Sequence, residues 1–440
     1  MAALKIPHLK RTKTSAQLII KGKPFLMLPC ETHNSSFSSS AYMDCLWAEL
    51  KNCNFNTILG SVSWESIEPH EGHFDFTELD RIILAARGHG LHLVLLWFGA
   101  YKNGTSSYAP GWVKRDFGRF PRVRILGGDA SSSSSSSPPP LKTVEVLSPF
   151  SQATWEADGR AFAALLQHVR DIDEEHSTVL MVQVKNECGV LGDSRDRSRL
   201  AEEAFAKPVP HSLLQYLAGK EEEEEEGKLH PQFEKRFPGL RSAVLDRGVQ
   251  SWEEVFGQGE LADEMLMAAA YANFLGKVCE AGKREYSLPM FANVWLNMND
   301  PSFLDIDDLP GAIGEALAVA GGTKPGAYPS GGPCPHVMDI YRFPPRSWTC
   351  WRRMSISKSM SGSVSSTGML RSHCFSPSSA PMDEAHAVRG WHMEPMRRWD
   401  ARPLALTRQA QGRASSPHRT GSYRRCRRIS SRPRQTTRKI

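Results

Sequence analysis

An apolar run of strand length, Val179-Leu-Met-Val-Gln-Val-Lys185, ends directly in an amide and a carboxylate, Asn186 and Glu187, followed by Cys188-Gly189 and the polar loop Gly192-Asp-Ser-Arg-Asp-Arg197. A carboxyl delivered at the C-terminal end of a buried strand can give a proton to a bound substrate or take one from it. An amide beside it can hydrogen-bond substrate hydroxyls. Parallel α/β barrels place their chemistry at such strand ends. Glu187 is therefore the candidate general acid/base, and Asn186 a candidate substrate ligand. On this stretch alone, a solvated strand-end acid is the competing reading.

Further candidates gather where other apolar runs stop. His33 and Asn34 lie in Glu31-Thr-His-Asn-Ser35, Trp64 and Glu68 in Ser61–Pro69, and Tyr101 and Asn103 in Gly99–Gly104. Trp295 and Asn297 lie in Asn293-Val-Trp-Leu-Asn297. Flat aromatic faces and hydroxyl-bonding Asn and Glu suit a ring rich in hydroxyls. Trp97 and Trp295 continue apolar strands and are equally compatible with packing. Glu68-Pro69 is equally compatible with shaping a loop.

The elements that would position these residues alternate. Gln17–Leu28 reads as two strands around a turn at Lys21-Gly22. Helix 41–52, capped by Ser40, leads to the strand Phe55–Leu59. Phe76–Arg87 is amphipathic, with Leu79, Ile82, Ile83 and Ala86 on one face, and precedes the strand Leu91–Phe98. Trp155–Arg170 is a helix before the Glu187 strand, and Leu261–Glu280 a helix before the strand Leu288–Trp295. Pro335–Arg342 could begin a further helix. About five strand-then-helix units imply an α/β fold with parallel strands. A doubly wound sheet would want a glycine-rich first turn, and Leu28-Pro-Cys-Glu31 has none. Two insertions interrupt the pattern, at about 105–150 with the tract Ser131–Ser137, and at about 196–260 with Glu221–Glu226. The first tract reads as flexible and the second as a solvated charge run.

The chain has 440 residues, and 40% of them are hydrophobic, enough for a large core. Its nine Cys form no CxxC and no tight Cys/His spacing, which argues against zinc and against a disulfide framework. His89 and His92 read as a turn and a strand start. No metal or cofactor is expected. The start shows no secretory signal and no run reaches membrane-spanning length, so a cytoplasmic location without membrane contact is expected. The net charge of +6 is uneven, because residues 343–440 hold 18 Arg and 2 Lys against 4 acidic residues. The remainder is mildly acidic and gives no reason to expect nucleic acid.

Together, Leu18–Phe25, Glu31–Ser35, Trp64–Phe76, Trp97–Asn103, Gln183–Glu187 with Gly192-Asp-Ser194, and Asn293–Asn297 resemble β-galactosidase-like glycoside hydrolases of the retaining barrel clan, close to families 35 and 42. More narrowly, they resemble members that carry a domain of unknown function beside the barrel. The resemblance covers about residues 5–342. It implies a TIM (β/α)8 barrel of glycosidase type, a carbohydrate substrate such as a β-galactoside, and Glu187 as the strand-four acid/base. It also implies a second Glu at the end of strand seven as nucleophile. Retention needs those two carboxyls about 5–5.5 Å apart. Asn186 would bond the sugar 2-hydroxyl.

Two departures stand out. Lys185 replaces a Glu usual in the family, and strand alternation would set it beside Glu187, where an ammonium would lower the carboxyl's pKa and impair proton donation; pointed instead into the barrel core, it would cost stability. The resemblance also stops near Arg342. Residues 343–440 contain only ten Leu, Ile, Val or Phe, too few for a core. This Arg/Ser-rich tail reads as disordered and basic, or as translation out of frame, and no nucleophile is assigned. The expectation is thus an incomplete barrel over 1–342, a retaining β-galactoside hydrolase by ancestry, weak or inactive as written. The alternatives are a non-catalytic carbohydrate-binding remnant and a protein that binds nucleic acid through its tail.

Overall fold

The computed structural model describes residues 6–11, 15–127, 140–219, 229–240, 250–293 and 324–343. An antiparallel sheet of β1 (His8–Arg11), β2 (Ala16–Ile20) and β3 (Lys23–Phe25) opens the chain. Its two-residue turn holds Lys21 and Gly22 at φ 49° and 79°. Two positive φ values match the right-handed twist of the flanking strands, and the glycine adopts one without strain.

The main sheet follows. Strand β4 (Pro29–Glu31) leads through α1 (Ser40–Asp44) and α2 (Trp47–Asn52) to β5 (Thr57–Ser63). Helices α3 (Trp64–Ile67) and α4 (Thr77–Gly88) lead to β6 (His92–Lys102). Then come α5 (Gly111–Arg115), a hairpin of β7 (Arg122–Leu126) and β8 (Leu141–Leu147), and α6 (Gln152–Asp173). Strand β9 (Val179–Asn186) and β10 (Met290–Asn293) complete the set. The spatial order is β4-β5-β6-β9-β10, all parallel. That order never reverses, whereas a doubly wound sheet reverses at its switch point. The sheet is the curled arc of a half-barrel.

Strand β9 is buried along its whole length and β6 along all but its ends, as parallel strands covered on both faces must be. One face joins Leu59, Val94, Leu96, Phe98, Leu180 and Phe291 to Leu18 and Ile20 of β2. The other face meets the helices. On α6, Phe162, Leu165, Leu166 and Val169 recur at helical spacing and are buried, each contributing ~1.5–3 kcal/mol of transfer free energy. The ring of Phe162 lies 5.7 Å from that of Trp97. It fits against helix Glu260–Glu285 because residue 282 is glycine; a Cβ there would overlap the ring.

Several expectations are refined. The helix expected over 41–52 is two short helices, and the cap is Ser39, whose Oγ accepts from Tyr42 N at 3.2 Å. Ser40 already sits in the first turn, where its backbone N–H donates to Glu78 Oε2 at 2.6 Å. Around the first insertion, the described residues form α5 and the β7–β8 hairpin; Ser131–Ser137 lie outside the described residues. The second insertion builds helices Arg199–Phe205, His211–Ala218, Pro231–Arg236 and Trp252–Phe256, with Glu221–Glu226 outside the described residues. Residues 344–440, and with them every expectation about the tail, also lie outside.

Residues 324–343 return to the body. The helix expected over 335–342 is a 3-10 turn, Pro335–Val337, and then Met338–Arg342. Buried His336 Nε2 and Tyr328 Oη meet Glu264 Oε1 of helix Glu260–Glu285 at 2.8 and 2.9 Å. Gly189, at φ 142°, packs where a Cβ would lie 2.5 Å from the carbonyl of Pro329.

Candidate active site

The C-terminal ends of β6, β9 and β10 are tied by backbone. Asn103 N donates to Asn186 O at 3.1 Å, Gly104 N to Glu187 O at 2.9 Å, and Glu187 N to Asn293 O at 2.9 Å. Here the chain leaves extended geometry: Asn103, Lys185 and Glu187 have φ of 52°, 67° and 51°. Positive φ costs a non-glycine residue of order 1–3 kcal/mol, and it persists only where surroundings enforce it.

The side chains continue the connection. Asn186 Oδ1 accepts from Gln183 Nε2 at 3.1 Å and from Asn293 Nδ2 at 2.8 Å. Asn186 Nδ2 donates to Asn103 Oδ1 at 2.9 Å, which also accepts from Lys102 Nζ at 2.8 Å. Four amides and one ammonium thus form a single hydrogen-bonded chain across three strand ends. With both Asn186 groups engaged, its rotamer and amide orientation are fixed.

Glu187 is half-buried beside this chain. Burial raises its carboxyl above the ordinary glutamate range, against the Lys102 ammonium and a hydrogen bond from Asn186, which lower it; Glu31, at the end of β4, adds to the rise. The net direction is upward, which is what a proton donor near neutral pH needs. Burial pushes the Lys102 ammonium down, against Glu187 and Glu31, which pull it up.

Of the two expectations for Lys185, a place beside Glu187 is not met and burial in the core is. Gln183 pairs with Leu96 and shares the inner face of the sheet. Simple alternation would put Lys185 there as well. At φ 67° the backbone turns instead, and the fully buried Lys185 ammonium makes an ion pair with Asp158 of α6. It lies 5.7 Å from the ring centroid of Trp97 and 5.9 Å from that of Phe274, on the helix side. The cation beside Glu187 is Lys102. Sequence reasoning missed Lys102 because its strand was expected to end at Phe98, four residues early.

The remaining candidates divide. His33 and Asn34 are exposed in the loop after β4, and Asn103 is exposed at the end of β6. Trp64 is fully buried; its Nε1 donates to Glu68 Oε2 at 2.7 Å, and its ring meets Trp112 edge-on at 5.8 Å. Glu68 is 3% exposed, and its other oxygen accepts from Gly72 N at 2.8 Å, which closes the following turn. Tyr101 is buried on the helix side, donating to Leu147 O at 3.1 Å and packing on Tyr271 and Phe274. Trp97 donates to Asp158 Oδ1 at 2.9 Å. Trp64, Glu68, Tyr101 and Trp97 are thus occupied inside the fold, Tyr101 and Trp97 against the helix layer and Trp64 against Glu68 and α5. Trp295 and Asn297 lie outside the described residues. Asn293 and Gln183 joined the amide chain without being singled out by their types. Asn293 stands just before the residues expected to end its strand.

Among the described residues no group of three or more His, Cys, Asp or Glu could hold a metal ion, and no helix is long and apolar enough to cross a membrane.

Residues 39–126 match the model of glycoside hydrolase family 42, described as β-galactosidase. The chain is similar to that family over this stretch, about one fifth of its length. The match includes β5, β6 and Asn103, and it ends before Glu187. No curated protein matches the chain. Among solved structures, the catalytic domain of a β-amylase from Paenibacillus polymyxa aligns at TM-score 0.38 and 13% identity, covering 62% of this chain and 68% of that one. A β-galactosidase from the psychrophilic Marinomonas ef1 aligns at TM-score 0.38 and 12% identity, covering 61% of this chain and 37% of that one.

Proposed function

We propose that this chain is a glycoside hydrolase acting on β-galactosides with Glu187 as general acid/base. The observation that supports this reading is a half-buried carboxyl held above its ordinary range at a strand end, beside a fixed chain of amides. In the protonated form Glu187 would donate to the glycosidic oxygen as the bond breaks, and the resulting carboxylate would then activate water. Asn186, the expected ligand of the sugar 2-hydroxyl, is buried with its amide taken up by Gln183, Asn293 and Asn103, so it would orient Asn103 and Glu187 rather than bond the sugar itself. Asn103, His33 and Asn34, which face solvent near the same strand ends, would contact outer hydroxyls. The buried Trp64, Glu68 and Tyr101 are left out of this role. Retention would require a second carboxyl about 5–5.5 Å from Glu187. We assign none, and we infer slow turnover for this reason.

The test is hydrolysis of aryl β-galactosides of graded leaving-group acidity. Glu187→Gln should slow the water step for every substrate, whereas kcat/KM, which reports bond breaking, should collapse for the poorest leaving groups and be spared for the most acidic, which depart without protonation; the comparison is therefore made on kcat/KM. Uniform loss across the series, or no loss, would refute the assignment. Galactoside binding that persists in Glu187→Gln, with no hydrolysis by the parent chain, would instead favour a carbohydrate-binding remnant.

A further inference from the structure

We propose that Asp158, Lys185 and Gly99 form a clamp on the helix side of the sheet that holds Glu187 in place, with Lys185 as a positioning residue for the proposed acid/base. The inference rests on that reading of Glu187, but its test does not depend on turnover. Three observations carry it. First, one carboxylate serves both strands that build the site: Asp158 Oδ1 accepts from Trp97 Nε1 at 2.9 Å, and Oδ2 accepts from Ala100 N at 2.8 Å and from the Lys185 ammonium. Second, those contacts fall where pairing is irregular. Trp97 pairs with Val184 and Lys102 with Asn186, so five steps on β6 face two on β9. Ala100 sits within that bulge, and Lys185 sits in the two-residue span opposite. A bulge re-aims the side chains that follow it, and these are Lys102, Asn103, Asn186 and Glu187. Third, the space is made for the ammonium. A Cβ at Gly99 would overlap Lys185 Nζ and crowd Asp158 Oδ1 and Trp97 Nε1.

The mechanism is mechanical. Lys185 is anchored on the helix side at φ 67°, and the next two residues reach across the strand ends, Asn186 to Asn103 and Asn293 and Glu187 toward Lys102. Without the anchor, β9 can relax to ordinary alternation, which would rotate Asn186 off Asn103 and Asn293 and release the Glu187 carboxyl to water. Lys185, which in simple strand geometry would oppose proton donation, supports it here by being elsewhere.

The experiment is a carboxyl 13C titration of the full chain labelled at glutamate, with the Glu187 signal assigned by its loss in Glu187→Gln. In the parent chain Glu187 should titrate above 4.5, the ordinary value. In Lys185→Met its midpoint should fall toward 4.5. Gly99→Ala, which displaces the ammonium while keeping every charge, should do the same and also serves if Lys185→Met fails to fold. Trp64→Phe, which loses a buried hydrogen bond away from the clamp, should leave the midpoint unchanged. The direction discriminates, because removing a nearby positive charge by itself would raise the midpoint. An ordinary midpoint in the parent chain, or an unchanged or raised one in a folded clamp variant, would overturn the proposal. Absence of hydrolysis by the parent chain would count against the glycosidase reading alone.

Discussion

Replacing Asp158 should destabilise the protein more than replacing the lysine it binds, although the two form one ion pair. Asp158→Ala leaves the buried Lys185 ammonium unpaired, and breaking one side of a buried pair costs about 3–5 kcal/mol. It also orphans Trp97 Nε1 and Ala100 N, at about 1–3 kcal/mol each. Lys185 is already pushed down by burial, so it escapes part of the charge cost by losing its proton. The sum, about 5–10 kcal/mol, approaches the whole stability of ~5–15 kcal/mol typical of a domain. Lys185→Met should cost less, because Asp158 keeps two donors and methionine fills much of the lysine's volume. Adding Lys185→Met to Asp158→Ala removes the stranded ammonium, so the double variant should be less destabilised than the sum of the singles by about 1–3 kcal/mol. Urea unfolding followed by tryptophan fluorescence at neutral pH gives all three values. An Asp158→Ala cost below about 2 kcal/mol would refute the clamp's energetics, as would strict additivity in the double variant.

Three further outcomes are expected. Lys102→Met removes the cation that lowers the Glu187 carboxyl, so in any active form the alkaline limb of the pH–rate profile should move to higher pH; a shift to lower pH would show that the ammonium does not act on Glu187. Glu187→Gln should stabilise the fold at neutral pH. A carboxyl raised in the folded state contributes stability below its unfolded value of 4.5 and loses it as pH rises through the folded value, so the variant's advantage in melting temperature should vanish below pH 4.5 and grow toward neutrality. Gly189→Ala forces a side chain against the backbone of Pro329 at φ 142° and should cost on the order of 3 kcal/mol, read by urea unfolding together with faster proteolysis within 324–343; a cost near zero would mean that this segment does not pack on Gly189.

The periodicity of the sequence determined the order of strands and helices, because apolar spacing is local and survives in any context. It located Asn186 and Glu187 at the end of the fourth strand of the arc for the same reason: an apolar run that stops in polar residues must emerge from the core there. The match to the β-galactosidase family over 39–126 agrees with the resemblance carried by the pieces around Trp64 and Asn103. The tertiary structure alone decided which way the side chains at those strand ends turn. Alternation put Lys185 beside Glu187, but a carboxylate on α6, 27 residues earlier in the chain, holds it on the other face. Aromatic type suggested sugar platforms at Trp64 and Tyr101, but both found buried hydrogen-bond acceptors and ring partners. The environment of Glu187 came from burial first, then from Lys102 and Glu31, on two other strands. Period-2 geometry holds only while φ stays extended. At Asn103, Lys185 and Glu187 the chain departs from it, under long-range contacts that no short window of sequence contains.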